Sequence, residues 1–197
     1  SENDVPKGWA DLLDPKFKGK IAYADPARSG SSYTILCTML TAFGKDDGKG
    51  WEFIDKFVDN LDGKILGSSG DVYKKVADGE FAVGLTLEKE AVKYVIAGAD
   101  VGIIYPEEGT SAVPDGIALV KGSKNRENAE AFLNFVLSKE CQSMMAANHM
   151  RRGVRLDIDP PEGLPPMSEV KLVNYDFNWA SSQKEDIMNK WKEVIID

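Results

Sequence analysis

The sequence holds a single histidine and only two cysteines among 197 residues. That scarcity removes most nucleophilic chemistry at once. A serine hydrolase would need His149 as its base, and nothing in the sequence brings His149 to a serine. It stands beside Arg151 and Arg152 at the end of a helical stretch, where an imidazole most simply complements a helix C-terminus. No G-x-S-x-G nucleophile elbow and no G-x-x-x-x-G-K-[ST] phosphate loop occurs. The chain is therefore not expected to be an enzyme. Cys37 and Cys141 lie far apart without C-x-x-C spacing, each inside a helical pattern, and read most simply as two separate buried thiols, with a single disulfide as the alternative, and not as metal ligands. No metal or cofactor is expected.

Basic charge is also short. Lys and Arg total 24 against 32 Asp and Glu, a net charge of −8, and no basic run offsets it. Such a surface repels nucleic-acid phosphates, so no nucleic-acid partner is expected. No apolar run reaches the ~20 residues that span a bilayer. The opening Ser1-Glu2-Asn3-Asp4 does not read as a secretory signal. What is present is ample core material, 43% hydrophobic residues with 28% charged.

Glycine and proline punctuate a regular alternation. Residues 20–25 read as a strand that stops at Pro26, and Ser29-Gly30-Ser31-Ser32 opens a helix carrying Leu36, Met39, Leu40 and Phe43 up to Gly44. Trp51, Ile54, Phe57, Val58 and Leu61 mark a second helix. A short strand at 64–66 leads through Ser68-Ser69-Gly70 into a helix with Val72, Tyr73, Val76 and Ala77. A strand at 81–85 precedes a helix at 88–97 with Ala91, Val92, Val95 and Ile96 inward, and another strand occupies 101–105. Strands alternating with helices predict an α/β fold, a mostly parallel sheet flanked by helices. Residues 116–121 read as one more apolar strand. Asn125 and Ser138 then cap two helices, and Ser182 with Glu185 forms a capping box for the last one, with Ile187, Trp191, Val194 and Ile195.

Three strand-to-helix turns carry candidate binding chemistry. The first amides of a helix have no partner inside it and favour negative charge. Ser29, Gly30, Ser31 and Ser32 place hydroxyl donors and an open backbone at one such start, and Ser68 and Ser69 repeat the arrangement at the next. The plainer reading of each is an ordinary serine N-cap. Two similar turns on neighbouring strands would meet at one crevice, where open α/β sheets bind ligands. Thr86 and Glu88 follow a third strand. Glu88 either complements its helix dipole or faces the crevice to meet a hydroxyl or amine. The turn Pro106-Glu107-Glu108-Gly109-Thr110 is a weaker candidate, explained as well by a polar turn.

These pieces occur in a recognisable order. Residues 8–21, Gly-Trp-Ala-Asp-Leu-Leu-Asp-Pro-Lys-Phe-Lys-Gly-Lys-Ile, resemble the W-x-D-L-x-D-P-K-[YFW]-K-G-K-I stretch of type 2 periplasmic solute-binding proteins, in the ferric iron, phosphonate and sugar-phosphate group. Residues 25–32 are similar to its D-P-x-x-S-[GS]-[ST] turn, residues 79–84 to G-E-x-x-[VI]-G, and residues 105–110 to Y-P-x-[ED]-G-T. Residues 129–142 match its late helix pair. The resemblance implies a two-lobed Venus-flytrap protein that captures a small solute outside the cytoplasm, as a periplasmic protein or cell-surface lipoprotein, and delivers it to an ABC permease.

The resemblance further implies a second-lobe α/β domain at 6–105, a segment at 106–152 that normally crosses to the first lobe, and a tail at 153–197 that returns. Most of the first lobe would then lie outside this sequence. The strand at 116–121, lacking its partners, is expected to pack on the remaining lobe or to pair with another copy. In the ferric branch a Tyr-Tyr pair follows the G-E-x-x-[VI]-G strand; Lys89 and Glu90 stand there, and neither is a phenolate. A phosphonate or sugar phosphate is the expected ligand, held by Ser29, Gly30, Ser31, Ser32, Ser68 and Ser69, with Thr86 and Glu88 toward its organic part. A ferric-iron transport protein and a ligand-sensing effector domain of a transcription regulator are the alternatives.

Overall fold

The computed structural model describes residues 5–196, and contacts divide the chain into two compact units. The first comprises residues up to Ser111 together with those from Val170 onward; the second is Ala112–Glu169.

The first unit is built on β1 (Ile21–Ala24), with β2 (Ile65–Leu66) and β3 (Val83–Gly84) paired parallel on either side of it, giving the order β2-β1-β3. All four β1 residues are buried, as the centre of a sheet covered on both faces requires. Alternation along β1 assigns the two faces. Ile21 and Tyr23 enter the larger core with α1 (Gly30–Phe43), α2 (Lys49–Leu61) and the C-terminal α8 (Lys184–Val194), whose Trp191 is fully buried beside Tyr23. Ala22 and Ala24 face α3 (Ser69–Ala77) and pack with Val72 and Phe81. The small residues on that side let α3 lie close to the sheet. Gly84 on β3 is part of this fit, since a Cβ there would stand 2.8 Å from Val76 Cγ2. Burying one large apolar side chain such as Trp191 contributes about 1.5–3 kcal/mol.

Helix boundaries follow local chemistry. Ser29, Ser68 and Ser138 cap α1, α3 and α6 (Lys139–His149) through their side chains, and Gly44 ends α1 in a left-handed conformation at φ 115°. His149 falls in the last turn of α6. Cys37 and Cys141 are both buried and free.

Several sequence-based expectations change. The strand expected at 81–85 shrinks to Val83–Gly84, and neither 101–105 nor 116–121 forms a strand. Those stretches find no neighbouring ladder, and an apolar run without a partner strand stays irregular. Residues 116–121 are irregular and largely open, with Ile117 46% and Val120 77% exposed. In α4 (Glu88–Ile96) only Val92 is buried; Val95 and Ile96 face solvent, and Tyr94 packs on Tyr73 of α3 instead. Asn125 sits at the start of α5 (Arg126–Val136) but makes no side-chain cap there. Ser182 does not cap α8: it ends a short α7 (Phe177–Ser182), its hydroxyl turns back to the Trp179 carbonyl, and Gln183 intervenes.

The units part at 111/112 and 169/170, whereas the sequence-based boundaries stand at 105/106 and 152/153. Residues 107–110 stay with the first unit because hydrogen bonds fasten them. Glu107 N–H donates to the Lys7 carbonyl, the Glu108 carboxylate accepts from the Trp9 and Ala10 amides at 2.9 and 2.8 Å, and Thr110 N–H donates to the Lys171 carbonyl. The second unit holds α5 and α6 with irregular connections, and α5 buries none of its residues.

Candidate functional site

Because β2 and β3 both run parallel to β1, the carboxyl ends of all three strands lie on one edge, and each runs into a helix. Neighbouring strands are about 4.8 Å apart, so the starts of α1, α3 and α4 are gathered along an edge about 10 Å wide. This is the crevice position of open parallel sheets. The amides of Gly30, Ser31 and Ser69 find no partner among the described residues, as expected of first-turn groups.

The individual residues divide by direction. Ser29, 7% exposed, caps α1; its Oγ accepts from Ser32 N–H at 3.2 Å and from Ser32 Oγ at 3.1 Å. Ser32 is 1% exposed. These two hydroxyls are committed to each other and to the helix start, while exposed Gly30 and half-buried Ser31 form the outer lip of the turn. Ser31 Oγ lies 3.0 Å from Ser29 Oγ. In the second turn, exposed Ser68 accepts the Gly70 amide at 3.1 Å, and Ser69 is half-buried. Thr86 is half-buried just after β3, and Glu88, the first residue of α4, accepts a hydrogen bond from the Tyr105 hydroxyl.

Sequence reasoning passed over Arg28. Its guanidinium pairs with Asp25 at 3.9 Å and reaches across to the second turn, with Nη1 3.8 Å from where Gly67 would carry a Cβ. Asp25 is itself anchored by Trp191 Nε1–H at 3.3 Å. The signal was present as a lone cation inside the Asp-Pro-Ala-Arg-Ser turn. Tyr105 was also missed, and sequence gave no sign that it reaches Glu88.

The edge thus presents unpartnered amides beyond β1 and β2 with the Arg28 guanidinium beside them, and Glu88 follows β3. Such an arrangement suits an oxyanion with a hydrogen-bond donor on its organic part. Among the described residues no group of three or more His, Cys, Asp or Glu gathers as a metal site. Lys89 pairs with Glu90 at 2.9 Å. Partial burial pushes the Glu90 carboxyl up, but hydrogen bonds from Lys89 and Lys93 outweigh it and hold it below its usual range. A surface depression of about 320 Å³ lies elsewhere in the first unit, lined by Lys7, Asp11, Glu107, Glu108 and Lys171. There the Glu108 carboxylate is already taken up by backbone amides, so the depression is a by-product of that fastening.

Residues 1–178 match the model of a family described as bacterial extracellular solute-binding protein. The chain belongs to this family. A periplasmic protein of Salmonella typhimurium to which 2-aminoethylphosphonate binding is ascribed is 31% identical over 206 residues, covering 96% of this chain and 59% of that protein. The solved structure of the periplasmic binding protein AfuA from Actinobacillus pleuropneumoniae, with exogenous fructose-6-phosphate bound, superposes with a TM-score of 0.86 at 28% identity, covering 98% of this chain and 60% of that one. A ferric binding protein from Campylobacter jejuni shares the fold, with a TM-score of 0.75 at 22% identity over 95% of this chain and 62% of that one. The chain spans about three fifths of the length of these proteins.

Proposed function

We propose that the chain is the ligand-holding part of an extracytoplasmic solute-binding protein, periplasmic or anchored at the cell surface, that captures a small phosphonate or sugar phosphate and presents it to an ABC permease. It works by binding and release, without catalysis. The observation that supports this most is the convergence of the Gly30, Ser31 and Ser69 amides at one sheet edge beside Arg28. Ser29 and Ser32 support the first turn from beneath, Ser68 supports the second, and Thr86 and Glu88 address the organic part. Local amide dipoles act at contact range, where the screened net charge of −8 counts for little.

Iron is the weaker reading, since Lys89 and Glu90 form an ion pair where the family's ferric branch carries tyrosines. A regulator's effector domain would share the fold. Backbone-amide NMR with inorganic phosphate, 2-aminoethylphosphonate, a hexose phosphate and ferric citrate tests the assignment. Shifts at Gly30, Ser31 and Ser69 with the phosphorus compounds are expected. A response to ferric citrate alone would overturn it.

The second unit supports a further proposal, that the chain self-associates through residues 116–121. Val120 is 77% exposed there, and in the same unit Phe132 is 59% and Phe135 46% exposed. Unpaired backbone beside apolar side chains favours strand addition.

A further inference from the structure

Arg28 is oriented by the fold without being consumed by it. It lies in the turn between β1 and α1, and its side chain is 73% exposed. Its guanidinium pairs with the Asp25 carboxylate through Nε at 3.9 Å, a separation of charge attraction and not of a hydrogen bond. Asp25 is held on several sides. Its N–H donates to the Leu66 carbonyl at 2.8 Å, which stitches it to the end of β2. Its Oδ1 accepts the Ala27 amide at 2.9 Å and Trp191 Nε1–H at 3.3 Å. Trp191 is fully buried against Tyr23, so the carboxylate that steadies Arg28 has a base in the core. The Nη1 end of the guanidinium lies toward the second turn, 3.8 Å from where Gly67 would carry a Cβ, and Ser68 and Ser69 follow directly. A residue larger than glycine at 67 would crowd that end.

We propose that Arg28 is a specificity-determining residue that selects doubly charged phosphoryl groups over singly charged oxyanions: Asp25 steadies the Nε side of its guanidinium, and the Nη side meets the ligand between the two serine turns. This rests on the solute-binding reading above. The amides of Gly30, Ser31 and Ser69 attract through partial charges and accept any oxyanion of suitable size. They discriminate poorly between a phosphonate and a sulfonate, which share a tetrahedral shape. A full positive charge discriminates better, because its attraction to a dianion is about twice that to a monoanion at the same distance. A guanidinium suits the position for a further reason. Its planar fork carries donors on two sides, so the pairing with Asp25 leaves the Nη side to a phosphoryl oxygen. An ammonium there would be a single point charge drawn onto Asp25.

The 197-residue chain can be titrated at pH 8 by amide NMR with 2-aminoethylphosphonate and with 2-aminoethanesulfonate, which has the same skeleton. At that pH a phosphoryl group carries about two negative charges and a sulfonate a single one. Wild type should favour the phosphonate. Arg28→Gln removes the cation and leaves Asp25 uncompensated. It should weaken the phosphonate roughly 10-fold, the low end for a hydrogen bond to a charged group, as its exposure requires. The sulfonate should weaken by about 3-fold, half the free energy, so the preference narrows by about 3-fold. Arg28→Lys keeps the charge without the fork and should recover less than half of the lost preference. Urea unfolding of each variant checks that the fold is intact. Equal weakening of both ligands in Arg28→Gln, or full recovery in Arg28→Lys, would overturn this inference alone. Failure of both compounds to move Gly30, Ser31 and Ser69 in wild type at millimolar concentration would overturn the solute-binding reading and this inference with it.

Discussion

Replacing Ser29 and Ser31 separately with alanine distinguishes a serine that builds the first turn from one that offers itself to a ligand. Ser29 Oγ caps α1 at 3.2 Å and accepts the Ser32 hydroxyl at 3.1 Å, in a setting where Ser29 is 7% and Ser32 1% exposed. Losing the cap costs about 1 kcal/mol. Stranding the buried Ser32 hydroxyl adds about 1–2 kcal/mol. Ser29→Ala should therefore destabilise the first unit by about 2–3 kcal/mol. At a urea m-value of about 2 kcal/mol per molar, the midpoint falls by about 1–1.5 M. Ser31, half-buried at the lip of the turn, should change stability by no more than about 0.5 kcal/mol. Tryptophan fluorescence is the right probe, because Trp9, Trp51, Trp179 and Trp191 all belong to the first unit. The oxyanion titration should respond oppositely, with Ser31→Ala weakening phosphonate binding at unchanged midpoint. A Ser29→Ala midpoint indistinguishable from wild type, or an equal drop in Ser31→Ala, would refute the division of roles.

Four other outcomes are expected. Gly84→Ala places a Cβ 2.8 Å from Val76 Cγ2 and should cost about 1–3 kcal/mol in urea unfolding, because α3 must move off the sheet. Stability should fall as pH rises above about 10, the ordinary tyrosine value. Burial raises Tyr23, Tyr33 and Tyr175, the last pushed up to about 12, so the folded state keeps protons that the unfolded state has lost; an alkaline unfolding series that stays level between about 10 and 12 would contradict this. Thiol reagents should modify Cys37 and Cys141 slowly in the native chain and rapidly in denaturant, since both are buried and burial pushes the Cys37 thiol up against the pull of its Tyr33 and Tyr175 hydrogen bonds. Light scattering should show mass rising with concentration, and Val120→Lys should reduce it by placing a charge on the open stretch.

Much of the fold is local and was legible. The β1 strand stops before Pro26, the helix after Ser29 runs to Gly44, and Ser68 and Ser138 cap where their spacing indicated. Local rules failed where two signals competed. Ser182 and Glu185 have capping-box spacing, yet Ser182 completes α7, a helix no apolar period had announced. Val95 and Ile96 continue a helical stripe that the fold leaves in solvent, because Tyr94 meets Tyr73 instead.

Sequence alone determined that serine-rich turns would lie between strand ends and helix starts, since caps, strand stops and glycine ends depend on residues a few positions apart. Tertiary structure decided the rest of the site. The order β2-β1-β3 brings the turns to one edge, and burial turns Ser29 and Ser32 inward while leaving Gly30 and Ser31 at the lip. Arg28 reaches toward Gly67, and Tyr105 finds Glu88, across separations that no local period encodes. Those contacts arise from strand pairing and packing between distant segments, and a one-dimensional pattern carries the propensity to form each element but not the choice of its neighbour.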